Sequence, residues 1–174
     1  RICQIKNANR MNPSNEQHIA SFYNAFAVGD AETMAALYHD QVTFSDPAFG
    51  TLQGEEVRNM WRMLLSRNKS GIHIQYTDVK ANETSGSVNW QASYMFGNPP
   101  RKIINKIQAS FKFKDGLILE HHDVFNLWTW TQQAFGLPGY LLGWTPMMKN
   151  KIRTQTRSLL QKFTEQHNAQ GNQR

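Results

Sequence analysis

Apolar residues recur at helical spacing along this chain as far as Arg67, and at every second position from Gly71 onward. The switch of period predicts helices packed against a sheet. Ser14 with Gln17 three residues on forms a capping box, and Ile19, Phe22, Tyr23 and Phe26 then mark one stripe of a first helix that Gly29 ends. Asp30 caps a second, short helix carrying Met34, Leu37 and Tyr38. A brief strand around Val42 to Phe44 runs into the turn Asp46-Pro47, and a third helix from about Glu55 to Arg67 aligns Val57, Met60, Trp61 and Leu64.

Past Gly71, Ile72, Ile74 and Tyr76 begin one strand, while Val88, Trp90, Ala92, Tyr94 and Phe96 alternate with polar residues in the next. The segment from Lys102 to Lys114 alternates most regularly. Ile103, Ile107, Ala109, Phe111 and Phe113 share one parity, lysines and other polar residues the other, and only Asn105 interrupts the apolar set. Asp115-Gly116 is a two-residue hairpin signal leading into a fourth strand, Leu117 to Phe125. The expected fold class is therefore α+β, with N-terminal helices on a curved, mainly antiparallel sheet. WTWTQQAFG reads as a short helix and GLPGYLLGWTP as a loop. Met148, Ile152, Leu159, Leu160 and Phe163 form the stripe of an extra C-terminal helix, which must bury itself on its own domain or on a partner.

The 174 residues make one domain with 40% hydrophobic side chains and enough length for a core without disulfides. The formal charge of +6 changes the picture only through its location. Residues 11–148 carry 10 basic against 12 acidic side chains, whereas residues 149–174 carry six basic residues against Glu165 alone. A basic end on a faintly acidic body reads as a solvated helix face, so no nucleic-acid partner is expected. No apolar run approaches the ~20 residues that span a bilayer, and no membrane partner is expected either. The N-terminal RICQIKNANR has no apolar core of a signal peptide, which makes a cytoplasmic protein the default. Met11 reads as a natural start, which would make residues 1–10 an addition and residues 1–13 a flexible lead. Cys3, the only cysteine, lies within that lead and has no disulfide partner.

Two candidate constellations stand out. Leu119, His121, Asp123 and Phe125 share a parity, so a strand that buries Phe125 turns His121 and Asp123 into the same space. They could exchange protons with a substrate, or merely satisfy one another as a buried pair. Asn105, the Tyr94 hydroxyl and the Trp90 indole nitrogen face inward and could orient a ligand, with Trp61 as a wall; ordinary core packing is the other reading for the aromatics. Asn105 needs a partner, because an unpaired amide on an apolar face costs about 1–3 kcal/mol. His121, His122 and Asp123 are adjacent, and a strand sends neighbours to opposite faces, so they do not converge on a metal. Glycine-rich phosphate loops and nucleophile elbows are absent, and a site without cofactor is the simplest expectation.

The runs AVGDAETMAALYHDQVTFSDPAFGTLQG and DGLILEHHDVFNLWTWTQQAFG resemble the SnoaL-like, polyketide cyclase-like family of the nuclear transport factor two-like superfamily. That superfamily also includes ketosteroid isomerases and limonene epoxide hydrolases. The match extends from residue 14 to about 136. It implies a conical α+β barrel over residues 14–136 wrapping a deep apolar pocket, with residues 137–174 as a loop and amphipathic helix of the same domain, and often a homodimer. The resemblance puts a general base at Asp46, which could instead only order its turn, and an acid/base aspartate at Asp123. The family's oxyanion tyrosine and protonated acid fall at Phe22 and Ala109, neither of which donates a hydrogen bond, so ketosteroid isomerisation is not expected. The inward parities of the two long strands hold no arginine, which argues against epoxide hydrolysis. The resemblance thus implies a protein that binds a small, largely apolar carbonyl or polycyclic compound. It would be either a cofactor-independent acid/base enzyme of cyclase or isomerase type, or a non-catalytic binding or dimerisation module.

Overall fold

A computed structural model describes residues 14–67 and 71–171; the N-terminal lead, including Cys3 and Met11, lies outside them. The elements run α1 (Asn15–Val28), α2 (Ala31–Ala36), β1 (Tyr38–Asp46), β2 (Gly50–Gln53), α3 (Glu55–Arg67), β3 (His73–Ala81), β4 (Ser85–Phe96), β5 (Arg101–Lys114), β6 (Leu117–Val124), α4 (Leu127–Phe135), α5 (Leu137–Leu142) and α6 (Pro146–Gly171). The six strands form one curved sheet in the order β2-β1-β6-β5-β4-β3, left open between β2 and β3. β3 through β6 make the expected antiparallel meander, and β1 joins it parallel to β6. Helices α1 and α3 fill the concave side, where Ile19, Phe22, Phe26, Met60 and Trp61 meet Phe44, Trp90 and Phe111 in a single core.

Local signals explain most of these elements. The Ser14 hydroxyl accepts from the Gln17 backbone N–H while the Gln17 side chain accepts from Ser14 N–H, closing both ends of the capping box. Asp115 and Gly116 both take positive φ, 53° and 76°, as a two-residue hairpin turn demands. Along β5 the alternation holds throughout: Ile103, Ile107, Ala109, Phe111 and Phe113 are buried and their neighbours exposed.

Five expectations need correction. The second helix stops at Ala36, and Tyr38 belongs to β1, where it pairs with Ile118. The strand there is nine residues long rather than brief; a register shift between Tyr38 and Thr43 leaves the polar run His39-Asp40-Gln41 without the alternation that marks a strand. In β6 a second shift, between Lys112 and Phe113 of its partner, turns Ile118 rather than Leu119 fully inward. Finally, the loop after α4 contains α5, and the α6 stripe is Met148, Ile152, Thr156, Leu160 and Phe163, with Leu159 38% exposed. This stripe lies on its own domain. The Thr156 hydroxyl donates to Ala48 O, and Arg157 donates to Phe49 O and Thr51 O, so α6 clasps the turn between β1 and β2. Burial within one chain removes the stripe as a reason for a dimer.

Candidate functional site

β6 delivers His121 and Asp123 to the concave side, as their parity requires. His121 is 0% exposed and Asp123 5%. The His121 ring is boxed by Phe111, Phe44 and Phe22, at centroid distances of 4.4, 5.1 and 5.6 Å. Its polar atoms are nevertheless satisfied. Trp61 Nε1 donates to the Tyr38 hydroxyl at 2.9 Å, and that hydroxyl lies 2.7 Å from His121 Nδ1. An ionised Asp123 can only accept, so in the neutral imidazole Nε2 carries the proton and Nδ1 accepts from the Tyr38 O–H. Nε2 carries the ring proton and donates to Asp123 Oδ1 at 3.1 Å, where Trp90 Nε1 also donates at 3.3 Å. A continuous chain, Trp61 to Tyr38 to His121 to Asp123 and back to Trp90, thus crosses an otherwise apolar core.

The chain fixes roles more narrowly than spacing could. His121 has both nitrogens engaged and no exposed surface, so it can orient Asp123 but cannot touch a ligand in this conformation. The Trp90 and Trp61 nitrogens are committed to protein acceptors, and neither is free to hold a substrate oxygen as expected for Trp90. Phe22 packs edge-on to Trp61 and His121. Ala109 is buried directly across from Asp123 in the β5–β6 pairing, where its single methyl group leaves the carboxylate room.

Asp46 ends β1 on the same concave side. Phe49 N–H donates to its Oδ1 at 2.5 Å, so it does order its turn. It is also an unusual acid: burial, opposed by that hydrogen bond and reinforced by the negative charge of Asp123, lifts it from 3.8 to about 7. The Arg153 cation of α6 works in the opposite direction. Tyr94 stands close enough for the Asp46 charge to add to the burial that raises the tyrosine. The Tyr94 oxygen accepts from Trp130 Nε1 at 2.9 Å, leaving its O–H free to donate. Asn105 is half-buried diagonally from Tyr94, since Tyr94 pairs with Ile103 and Ala92 with Asn105. Its amide makes no hydrogen bond among the described residues. Asp46, Tyr94 and Asn105 are the half-buried polar groups on this side of the sheet, whereas Asp123 is almost fully enclosed.

Tyr38 and Trp130 carry no functional signal in the sequence. Tyr38 sits four residues after Met34 and fits a helical stripe, and Trp130 gives no sign that its nitrogen reaches Tyr94. His122, on the opposite face, is half-exposed and lies 2.6 Å from the Ser45 hydroxyl. Of two cavities, neither is lined by Asp46, Tyr94, Asn105, His121 or Asp123. One, of about 350 Å³, is bounded by Glu32, Arg62, Leu65, Phe163 and His167; the other, of about 580 Å³, is an open trough including Gln75, Asn89, Gln91, Lys106 and Gln108.

Comparison with known proteins adds the family. The model of the SnoaL-like domain matches residues 19–121, more than half of the chain. No curated protein matches. Among solved structures, TerC co-crystallised with polyporic acid is similar at 16% identity, TM-score 0.56, over 64% of this chain and 91% of that one. A putative polyketide cyclase from Xanthomonas campestris pv. campestris is 23% identical with TM-score 0.55, over 69% of this chain and 98% of that one. An NTF2-like protein of unknown function from Cytophaga hutchinsonii is 12% identical, TM-score 0.55, over 67% and 94%. At these identities the likeness is one of fold.

Proposed function

The chain belongs to the SnoaL-like domain family, and from that premise we propose that it binds a small, largely apolar carbonyl or polycyclic compound and moves a proton on it without a cofactor. The observation that carries this reading is the pairing of two carboxyl groups with unlike surroundings. Asp46 titrates near neutrality, and Asp123 is held as an acceptor by two N–H donors. Such a pair can divide acid and base roles between them. Asp123 removes a proton from the carbon beside the carbonyl, Asp46 returns one, and the Tyr94 O–H and Asn105 amide hold the carbonyl oxygen as charge develops on it. His121 and Tyr38 are positioning residues that hold Asp123 in one rotamer. A ligand site at Asp123 needs side chains on the concave side to part, since its carboxylate is almost closed off in this conformation.

The same closure favours a second reading, a binding module in which the His121–Asp123 pair is structural. The two separate in a solvent-exchange experiment. Aromatic ketones that raise the melting temperature are incubated with the protein in deuterium oxide, and α-deuteration is followed by NMR. The enzyme reading expects deuteration that falls by at least about 100-fold in Asp123→Asn and in Asp46→Asn while the thermal shift by the ketone persists. Exchange at the same rate in both variants would leave the binding module. We also propose a homodimer through the outer face of β3 to β6, supported by its exposed trough of amide side chains; light scattering that reports a monomer throughout the micromolar range overturns it.

A further inference from the structure

We propose that the tip formed by α5 and the start of α6 is a docking element for an anionic phospholipid surface. Six large apolar side chains protrude there together: Leu137, Tyr140, Leu141, Leu142, Trp144 and Met147, with Leu137 70%, Trp144 59% and Met147 68% exposed. A contiguous apolar projection of this kind marks an interaction site.

The exposure is built into the packing. The small side of α5, Gly139 and Gly143, lies so tightly on Thr131 of α4 that a Cβ on either would collide with it. Thr131 is fully buried, and its hydroxyl donates to Trp128 O and Gly139 O. With the glycines turned inward, the bulky residues of so short a helix can only point away. The indole nitrogens of Trp128 and Trp144 are satisfied locally, by Tyr140 O and Leu141 O, so both rings can enter an apolar medium without stranding a donor.

Charge identifies the occupant. From Val124 to Thr164 the chain has no acidic residue, and Lys149 and Lys151 stand at the start of α6, beside the apolar tip; Arg153 and Arg157 beyond them are turned to the β1–β2 turn. Arg101 lies against Gly136 at the base of the tip, adding a third cation. A second copy brought tip to tip would set these cations against their equals, whereas a bilayer carrying phosphate headgroups would neutralise them. Tyr and Trp mixed with leucines and followed by lysines is the composition of helices that lie in a membrane interface. The expectation of no membrane partner rested on the lack of a spanning segment. No helix among the described residues is long and apolar enough to cross a membrane, but surface docking requires none.

The test is sedimentation of the full chain with phosphatidylcholine vesicles and with vesicles of phosphatidylcholine and phosphatidylglycerol. Binding to the anionic vesicles should exceed that to the neutral ones by at least about tenfold and fall as salt is raised. Leu141→Asp with Trp144→Asp should abolish it without moving the melting temperature, because both side chains are exposed. Lys149→Glu with Lys151→Glu, which leaves the apolar tip intact, should weaken it about tenfold or more. The proposal is overturned if the protein stays in the supernatant with anionic vesicles at low salt, or if neither variant reduces sedimentation. It is overturned equally if the tip substitutions only turn a dimer into a monomer.

Discussion

Tyr38 holds the buried polar chain together, because its hydroxyl takes a proton from Trp61 and gives one to His121. Tyr38→Phe would keep the ring and orphan both partners. Each buried group left unpaired costs roughly 1–3 kcal/mol, so urea denaturation should show a loss near the sum; an unchanged midpoint would mean that the chain contributes nothing. Asp46 offers a complementary measurement. Its folded value of about 7 lies above the ordinary 3.8, so folding binds its proton more tightly. Below about pH 4 both states are protonated and burial is free of charge; between there and pH 7 the unfolded chain ionises first, and stability falls until the folded carboxyl ionises too. Asp46→Asn should therefore match the wild type in acid and exceed it above pH 7, by up to roughly 4 kcal/mol. Equal melting temperatures of the two proteins at pH 8 would show that Asp46 is not desolvated. His121 and Asp123 were legible from parity alone, because a strand makes every second residue share a face. Tyr38 was hidden, since its partners come from α3 and β6, far away in sequence.

The elements that could be read are those whose burial matches a simple period. β5 is bounded by a turn at each end and buried on one face throughout, so its alternation survives intact. β1 pairs on both sides but bulges after Tyr38, and the interruption hides half its length from a period-two pattern. The Gly and Pro content of α5 suggests a loop, although Gly139 serves close packing rather than a turn. That use predicts the effect of filling the contact. Gly139→Ala puts a methyl group into the backbone of Thr131, and overpacking of this kind costs typically 1–3 kcal/mol. The melting temperature should drop and the Trp128 to Tyr140 contact should open, seen as a change in tryptophan emission. Val28→Ala, at an exposed site on α1, supplies the baseline. The Gln-Gln pair of α4 also has a physical role: Gln133 bonds both Ile104 N–H and Ile104 O, extending the ladder of β5 beyond the end of β6.

Across the whole molecule, the C-terminal helix links two regions that the sequence presents as separate. The body is faintly acidic and the tail strongly basic, yet α6 lies over the turn that contains Asp46, with Thr156 and Arg157 bonded to its backbone and Arg153 against Gly50. No local pattern announces this crossing, because the contacts join residues more than a hundred positions apart. The Arg153 charge favours the ionised form of Asp46 while burial of the turn opposes it. Arg153→Gln removes the first effect and leaves the backbone clasp, so the Asp46 titration followed by NMR should move upward. Arg157→Ala loosens the clasp and admits water to the turn, which should move the same titration downward by relieving desolvation. Opposite shifts from two arginines one helical turn apart would separate charge from burial. If both variants moved Asp46 upward, α6 would act on the site through charge alone.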